Sequence, residues 1–180
     1  MAHVDFNSEL PGIQGAMVYR PETAKPLREL AEVLLKGPST LTSGERELIA
    51  TYVSYLNNCH FCQSSHGAAA SCYYNGDMQL VLDVKKDPNT ANISDKLKAL
   101  LTIAAKVQQG GKNVGDENVN SAKSKGATDL EIHDTVLIAA AFCMFNRYVD
   151  GLATWAPKEV EAYTAMGERI VKEGYIRKAN

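Results

Sequence analysis

In "NNCHFCQSSH", residues 57–66, two cysteines stand three positions apart and a histidine follows four beyond the second. Thiols at this spacing clip a metal, cycle between dithiol and disulfide, or sit inert. On a helix of ~100° per residue, Cys59 and Cys62 differ by about 60° around the axis, and Cys62 and His66 by about 40°, so all three can point into one cleft. A first helical turn also offers unsatisfied N–H groups and the positive end of the dipole, which favour thiolate over thiol. Glu47 lies upstream on what reads as a preceding helix. If that helix folds back as an antiparallel hairpin, Glu47 stands about 15 Å and His66 about 10 to 12 Å from the turn, a gap that two side chains and a water close. Glu47 would then orient and charge-stabilise His66, which would move a proton for a cysteine. Glu45, nearer the helix start, reads as a capping acid.

The flanks narrow the choices. Covalent haem needs a histidine directly after the second cysteine, where Gln63 stands, and a thioredoxin-like motif needs a preceding strand, where a helix is expected. Zinc has three candidate ligands in Cys59, Cys62 and His66, with Glu47 or a water as the fourth, but no second close ligand pair. A zinc-stabilised or redox-sensing module without turnover therefore stands beside the redox enzyme. Cys72 and Cys143, on apolar helical faces, read as inert buried thiols, and His133 beside Asp134 as a surface residue. Tyr73, Tyr74, Phe142, Phe145 and Trp155 read as core or interface packing. Arg147 and Asp150 have the spacing of an internal ion pair.

The elements that must carry these residues are all helical. Residues 1–21 read as an irregular N-terminal arm broken by Pro11, Gly12 and Gly15, and residues 22–180 as one all-α domain. Helical apolar spacing runs over roughly 23–36. It resumes after Thr42, whose capping box with Glu45 opens a stripe of Leu48, Ile49, Tyr52, Val53 and Leu56 that ends at Asn57-Asn58. The cysteine pair opens the next helix, which stops at Asn75-Gly76. Further helices are expected at 77–85, 95–109 and 116–125. A long one follows a second Thr-x-x-Glu box at Thr128, and a last one opens at Pro157. The two boxed segments hint at a duplicated unit, whose second copy has Phe145 and Tyr148 in place of the cysteines.

With 180 residues, 45% hydrophobic and 22% charged, the chain buries a core without needing metal or disulfide. A net charge of -2 with scattered lysines and arginines argues against nucleic acid and anionic membranes as partners. The N-terminus shows no signal peptide and no stretch approaches the ~20 apolar residues of a membrane span, so a cytoplasmic, reducing compartment is expected.

The order Glu47, Cys59-His60-Phe61-Cys62, His66 resembles the signature of the alkylhydroperoxidase D-like (AhpD-like) proteins of the carboxymuconolactone decarboxylase superfamily. "LPGIQGAMVYRPETAKPLRELAEVLL", "LTSGERELIATYVSYLNNCHFC" and "FNRYVDGLA" are similar to its peroxidase-related branch, and the resemblance spans nearly the whole chain. It implies an AhpD-like helical bundle assembled as a dimer, trimer or hexamer, and a thiol peroxidase cycle acting on a hydroperoxide. In that cycle Cys62 is the attacking thiolate, Cys59 resolves its sulfenic acid, and Glu47 with His66 relays the proton. No cofactor is implied beyond an external dithiol or thiol-redox protein as reductant. The family's segment matching "NRYVD" packs near the thiols, which marks Asn146 and Arg147. Better-studied members place a histidine directly before the second cysteine, where this chain has Phe61, so His60 is left out of the catalytic set. Lactone decarboxylation, which the superfamily's name suggests, gives a C-x-x-C pair no task.

Overall fold

The computed structural model describes residues 2–176. Their helices are α1 (Ile13–Tyr19), α2 (Pro21–Lys36), α3 (Ser43–Leu56), α4 (His60–Tyr73), α5 (Met78–Lys86), α6 (Asp95–Gln109), α7 (Asp116–Ser124), α8 (Asp129–Gly151) and α9 (Val160–Glu173). A short 3-10 turn at Gly111–Asn113 precedes α7, and no strand occurs among the described residues. The all-α class is as expected.

Both Thr-x-x-Glu boxes form. Glu45 N–H donates to Thr42 Oγ1 at 3.2 Å while Thr42 N–H donates to Glu45 Oε2 at 2.8 Å. Thr128 and Glu131 repeat the arrangement at the same two distances. Each box satisfies two of the orphan donors at a helix start. The α3–α4 hairpin turns at Asn57 and Asn58; Asn58 adopts φ 58, a left-handed conformation that asparagine tolerates better than most side chains.

The core lies between α3, α6 and α8. Leu48, Ile49 and Val53 of α3 meet Leu100, Leu101 and Ile103 of α6 and Ile138 and Phe142 of α8, all buried. Helix α4 is built differently: its middle reads Gly67-Ala68-Ala69-Ala70, and these small side chains let α3 and α9 approach closely on either side. At Gly167 of α9, an added Cβ would stand 2.6 Å from the Ala68 carbonyl carbon. Lys36, at the end of α2, donates to the carbonyls of Ile170 and Val171 at 3.2 and 2.8 Å and so closes the C-terminal end of α9.

Two segments depart from the sequence reading. The N-terminal arm is not irregular throughout, because residues 13–19 close one short helix, α1. Its flanks are tied to the loop before α9 by His3 N–H to Leu152 O (3.0 Å) and Gly12 N–H to Trp155 O (2.9 Å). That loop also displaces the start of the last helix. Pro157 does not open α9; its carbonyl is occupied by the Tyr163 hydroxyl at 2.9 Å, and the helix begins at Val160.

Candidate active site

Cys59 is the N-cap of α4 and Cys62 occupies the third position of its first turn. Both are buried free thiols. Cys62 lines a pocket of about 100 Å³ under the N-terminal arm; Cys59 does not. Of the two sulfurs, that of Cys62 therefore meets anything that enters. The pocket floor adds Ser65 and His66 from α4 and Phe142 and Phe145 from α8. Ile13 and Met17 of α1, Leu27 and Ala31 of α2, and Met166 and Ile170 of α9 give it apolar walls, with Arg28 and Arg169 among the lining residues. Phe142 and Phe145 are core residues, as expected, and at the same time wall the pocket of their own chain.

The sulfurs have opposite acidities. Cys62 lies below its ordinary value because the Cys59 thiol donates to it, with the His66 charge and the Asn146 amide adding to the effect and burial opposing it. Cys59 is pushed up by that same hydrogen bond and by burial. The first-turn N–H groups of α4 favour the anion further. Of the pair, Cys62 is thus the sulfur that gives up its proton more readily and Cys59 the one that keeps it.

His66 and Glu47 meet directly. His66 Nδ1 lies 2.8 Å from Glu47 Oε2, with no water needed between them, because the side chains themselves span the roughly 4 Å of unequal rise along the two helices. The Glu47 side chain has no solvent exposure and that of His66 has 14%. Burial alone would lower the His66 pKa, but the charge and hydrogen bond of Glu47, with the Cys62 thiolate beyond, raise it above the ordinary value. The imidazole also packs edge-on against Phe142, with ring centroids 4.6 Å apart.

Two residues complete this cluster. Asn146 of α8, fully buried, donates to Ser54 Oγ at 3.0 Å and accepts from Asn57 Nδ2 at 2.8 Å, while its amide also reaches Cys62. Gln108 of α6 holds Asn57 in turn at 3.0 Å. Tyr175, just beyond α9, donates to Glu47 Oε1 at 2.5 Å. The sequence reading did not single out Tyr175. Its only local signal is Gly174, a helix-ending glycine directly before it.

The remaining candidates fall away from the cluster. Arg147 is exposed and donates to the Cys143 carbonyl at 2.9 Å, so its pairing with Asp150 is not made. His60 is exposed and edges against Tyr163 with centroids 5.8 Å apart. Cys72 and Cys143 are half-buried rather than buried; burial and Glu168 push the Cys72 thiol up. His133 is exposed beside Asp134, as expected. No group of three or more His, Cys, Asp or Glu side chains among the described residues is arranged to hold a metal ion. No helix of the described residues is long and apolar enough to cross a membrane.

Residues 21–71, which hold α2, α3 and nearly all of α4, match the carboxymuconolactone decarboxylase family. Similar solved structures include an uncharacterized peroxidase-related protein from Silicibacter sp. TM1040, 26% identical over 87% of this chain and 80% of that one, with a TM-score of 0.77. An uncharacterized peroxidase-related protein from Ralstonia eutropha JMP134, with an alkylhydroperoxidase AhpD core, is 25% identical over 88% and 81% of the two chains, with a TM-score of 0.78. A protein of unknown function from Agrobacterium tumefaciens shares the fold at 21% identity, over 80% and 97% of the chains, with a TM-score of 0.70. No curated protein matches the chain.

Proposed function

We propose that this chain is a thiol-dependent hydroperoxide reductase of the AhpD-like kind, a reading supported by the match of residues 21–71 to the carboxymuconolactone decarboxylase family and by the likeness of its fold to peroxidase-related proteins. The observation that carries the reading is the asymmetry of the cysteine pair: Cys62 faces the pocket and is the more acidic sulfur, while Cys59 is sealed behind it as a thiol.

In the proposed cycle the Cys62 thiolate attacks the terminal oxygen of a hydroperoxide. The O–O bond breaks, the leaving alkoxide takes a proton from His66 and departs as an alcohol, and Cys62 becomes a sulfenic acid. The Cys59 thiol then attacks that sulfur, water leaves, and a Cys59–Cys62 disulfide forms before further oxidation. Glu47 keeps His66 charged at the start and supports its reprotonation afterwards. An external dithiol returns the pair to two thiols and leaves as its own disulfide. No cofactor enters, and the cycle suits a reducing, cytoplasmic compartment where such dithiols are kept reduced. The apolar walls favour an organic hydroperoxide over hydrogen peroxide. Self-association is supported by Leu130, Leu137 and Met144, exposed apolar residues at seven-residue spacing along α8.

The test is turnover of an organic hydroperoxide with excess dithiol. Cys62→Ser should consume none. Cys59→Ser should react once and hold a sulfenic acid that a dione reagent traps on Cys62. Wild-type turnover by Cys62→Ser overturns the assignment.

A further inference from the structure

Glu47 presents two carboxylate oxygens in a place without solvent, and each has its own donor. His66 Nδ1 stands 2.8 Å from Oε2, and the Tyr175 hydroxyl stands 2.5 Å from Oε1. The Tyr175 ring lies nearly parallel to the imidazole, 15° between planes with centroids 5.9 Å apart, and its oxygen is 3.3 Å from His66 Nδ1. The backbone of Tyr175 is itself held from α2: its N–H donates to Glu32 Oε2 at 2.7 Å. Gly174 makes this possible. Its φ of 77 favours glycine, and a Cβ there would stand 2.5 Å from Glu32 Oε2.

We infer that Tyr175 is a positioning residue, which fixes the Glu47 carboxylate and through it the His66 imidazole opposite Cys62, so that the segment following α9 completes the site. The inference rests on the proton relay proposed above. A buried carboxylate with one oxygen unfilled rotates or takes up a proton, because an unmet acceptor there carries the full desolvation penalty. A phenol donating to Oε1 fills that oxygen and fixes the carboxylate with its other oxygen on His66 Nδ1. The His66 charge is one of the features that lower the Cys62 pKa. Other groups facing the cluster are Glu32 from α2, Tyr73 and Cys59 from α4's own chain segment, Asp150 from α8 and Tyr163 from α9, with Arg28 and Arg169 on the pocket lining. The hydrogen bond at Glu47 Oε1 comes from the Tyr175 hydroxyl.

The experiment measures iodoacetamide alkylation of Cys62 against pH, resolved by peptide mass spectrometry, with Cys72 as internal reference. Tyr175→Phe keeps the ring and removes only the hydroxyl. It should shift the Cys62 profile to higher pH and slow alkylation roughly 5- to 10-fold near neutrality, the net scale of one ordinary intramolecular hydrogen bond, with Cys72 unchanged. Gly174→Ala retains the phenol but disturbs its anchor and should shift Cys62 in the same direction. Glu47→Gln serves as the reference for loss of the relay. If it shifts the profile while Tyr175→Phe overlays the wild type, Tyr175 has no positioning role and the inference fails. Should neither move it, the relay reading fails as well. A Gly174→Ala profile identical to wild type, beside a shifted Tyr175→Phe, overturns the anchoring by the segment after α9.

Discussion

Replacing Glu47 by glutamine removes one charge from a fully buried position and keeps the side chain's shape. In the wild type, His66 is held above its ordinary pKa because the charge and hydrogen bond of Glu47 outweigh burial. In Glu47→Gln, burial is unopposed by that charge and His66 sheds its proton below the ordinary value of ~6.5. Stranding a buried charge costs ~3–5 kcal/mol, but His66 escapes it by becoming neutral. The loss is then that of a hydrogen bond between charged groups, about 2 kcal/mol. For a domain of this size ~1 kcal/mol moves Tm by about 2–4 °C, so the variant should melt ~4–8 °C lower. The pH dependence follows from the direction of the shift. A group whose folded pKa is raised contributes fully below its unfolded value, and loses that contribution as pH rises through the folded one. The gap between wild type and Glu47→Gln should thus be widest near pH ~6 and close as the solution becomes alkaline. Scanning calorimetry of both proteins under reducing conditions, from about pH 5.5 to 9.5, reads this directly. A gap that stays constant across the range, or widens with pH, refutes the charged Glu47–His66 pair.

Two further substitutions probe the frame around the pair. Gly167→Ala places a Cβ 2.6 Å from the Ala68 backbone, which cannot swing aside, and should cost ~1–3 kcal/mol in thermal or denaturant unfolding as α9 is pushed from α4. Asn146→Ala removes the amide that reaches Cys62, and should slow Cys62 alkylation by roughly 5-fold at neutral pH while leaving Cys72 unchanged.

The parts of the site that share a short stretch of chain were legible in the sequence. The Thr42 and Thr128 boxes and the Asn57-Asn58 break are local chemistry, and they fix where α3 ends and where Cys59 caps α4. From that register, a hairpin at Asn57-Asn58 brings Glu47 and His66 within reach of each other, and they meet. The contact is direct, without the expected water, because the two side chains are long enough to span the unequal rise. What escaped depends on distant segments. Asn146 was marked only as a neighbour, since its value lies in a buried network drawing on Ser54, Asn57 and Gln108 from two other helices. Tyr175 lies 128 positions from Glu47, and nothing local says that the chain beyond α9 returns to α2. The start of α9 was misread for a related reason: a proline that suits a helix's first position is used here as the acceptor for Tyr163 and as part of a loop tied to the arm.

The central claim is that Cys59 and Cys62 form a redox pair driven by hydroperoxide. The reduced protein should be mixed with an equimolar organic hydroperoxide, quenched over seconds to minutes, and its four cysteines mapped by mass spectrometry. The account predicts rapid formation of a Cys59–Cys62 disulfide while Cys72 and Cys143 remain thiols. Cys59 and Cys62 remaining as thiols, or oxidation confined to Cys72 and Cys143, would contradict it.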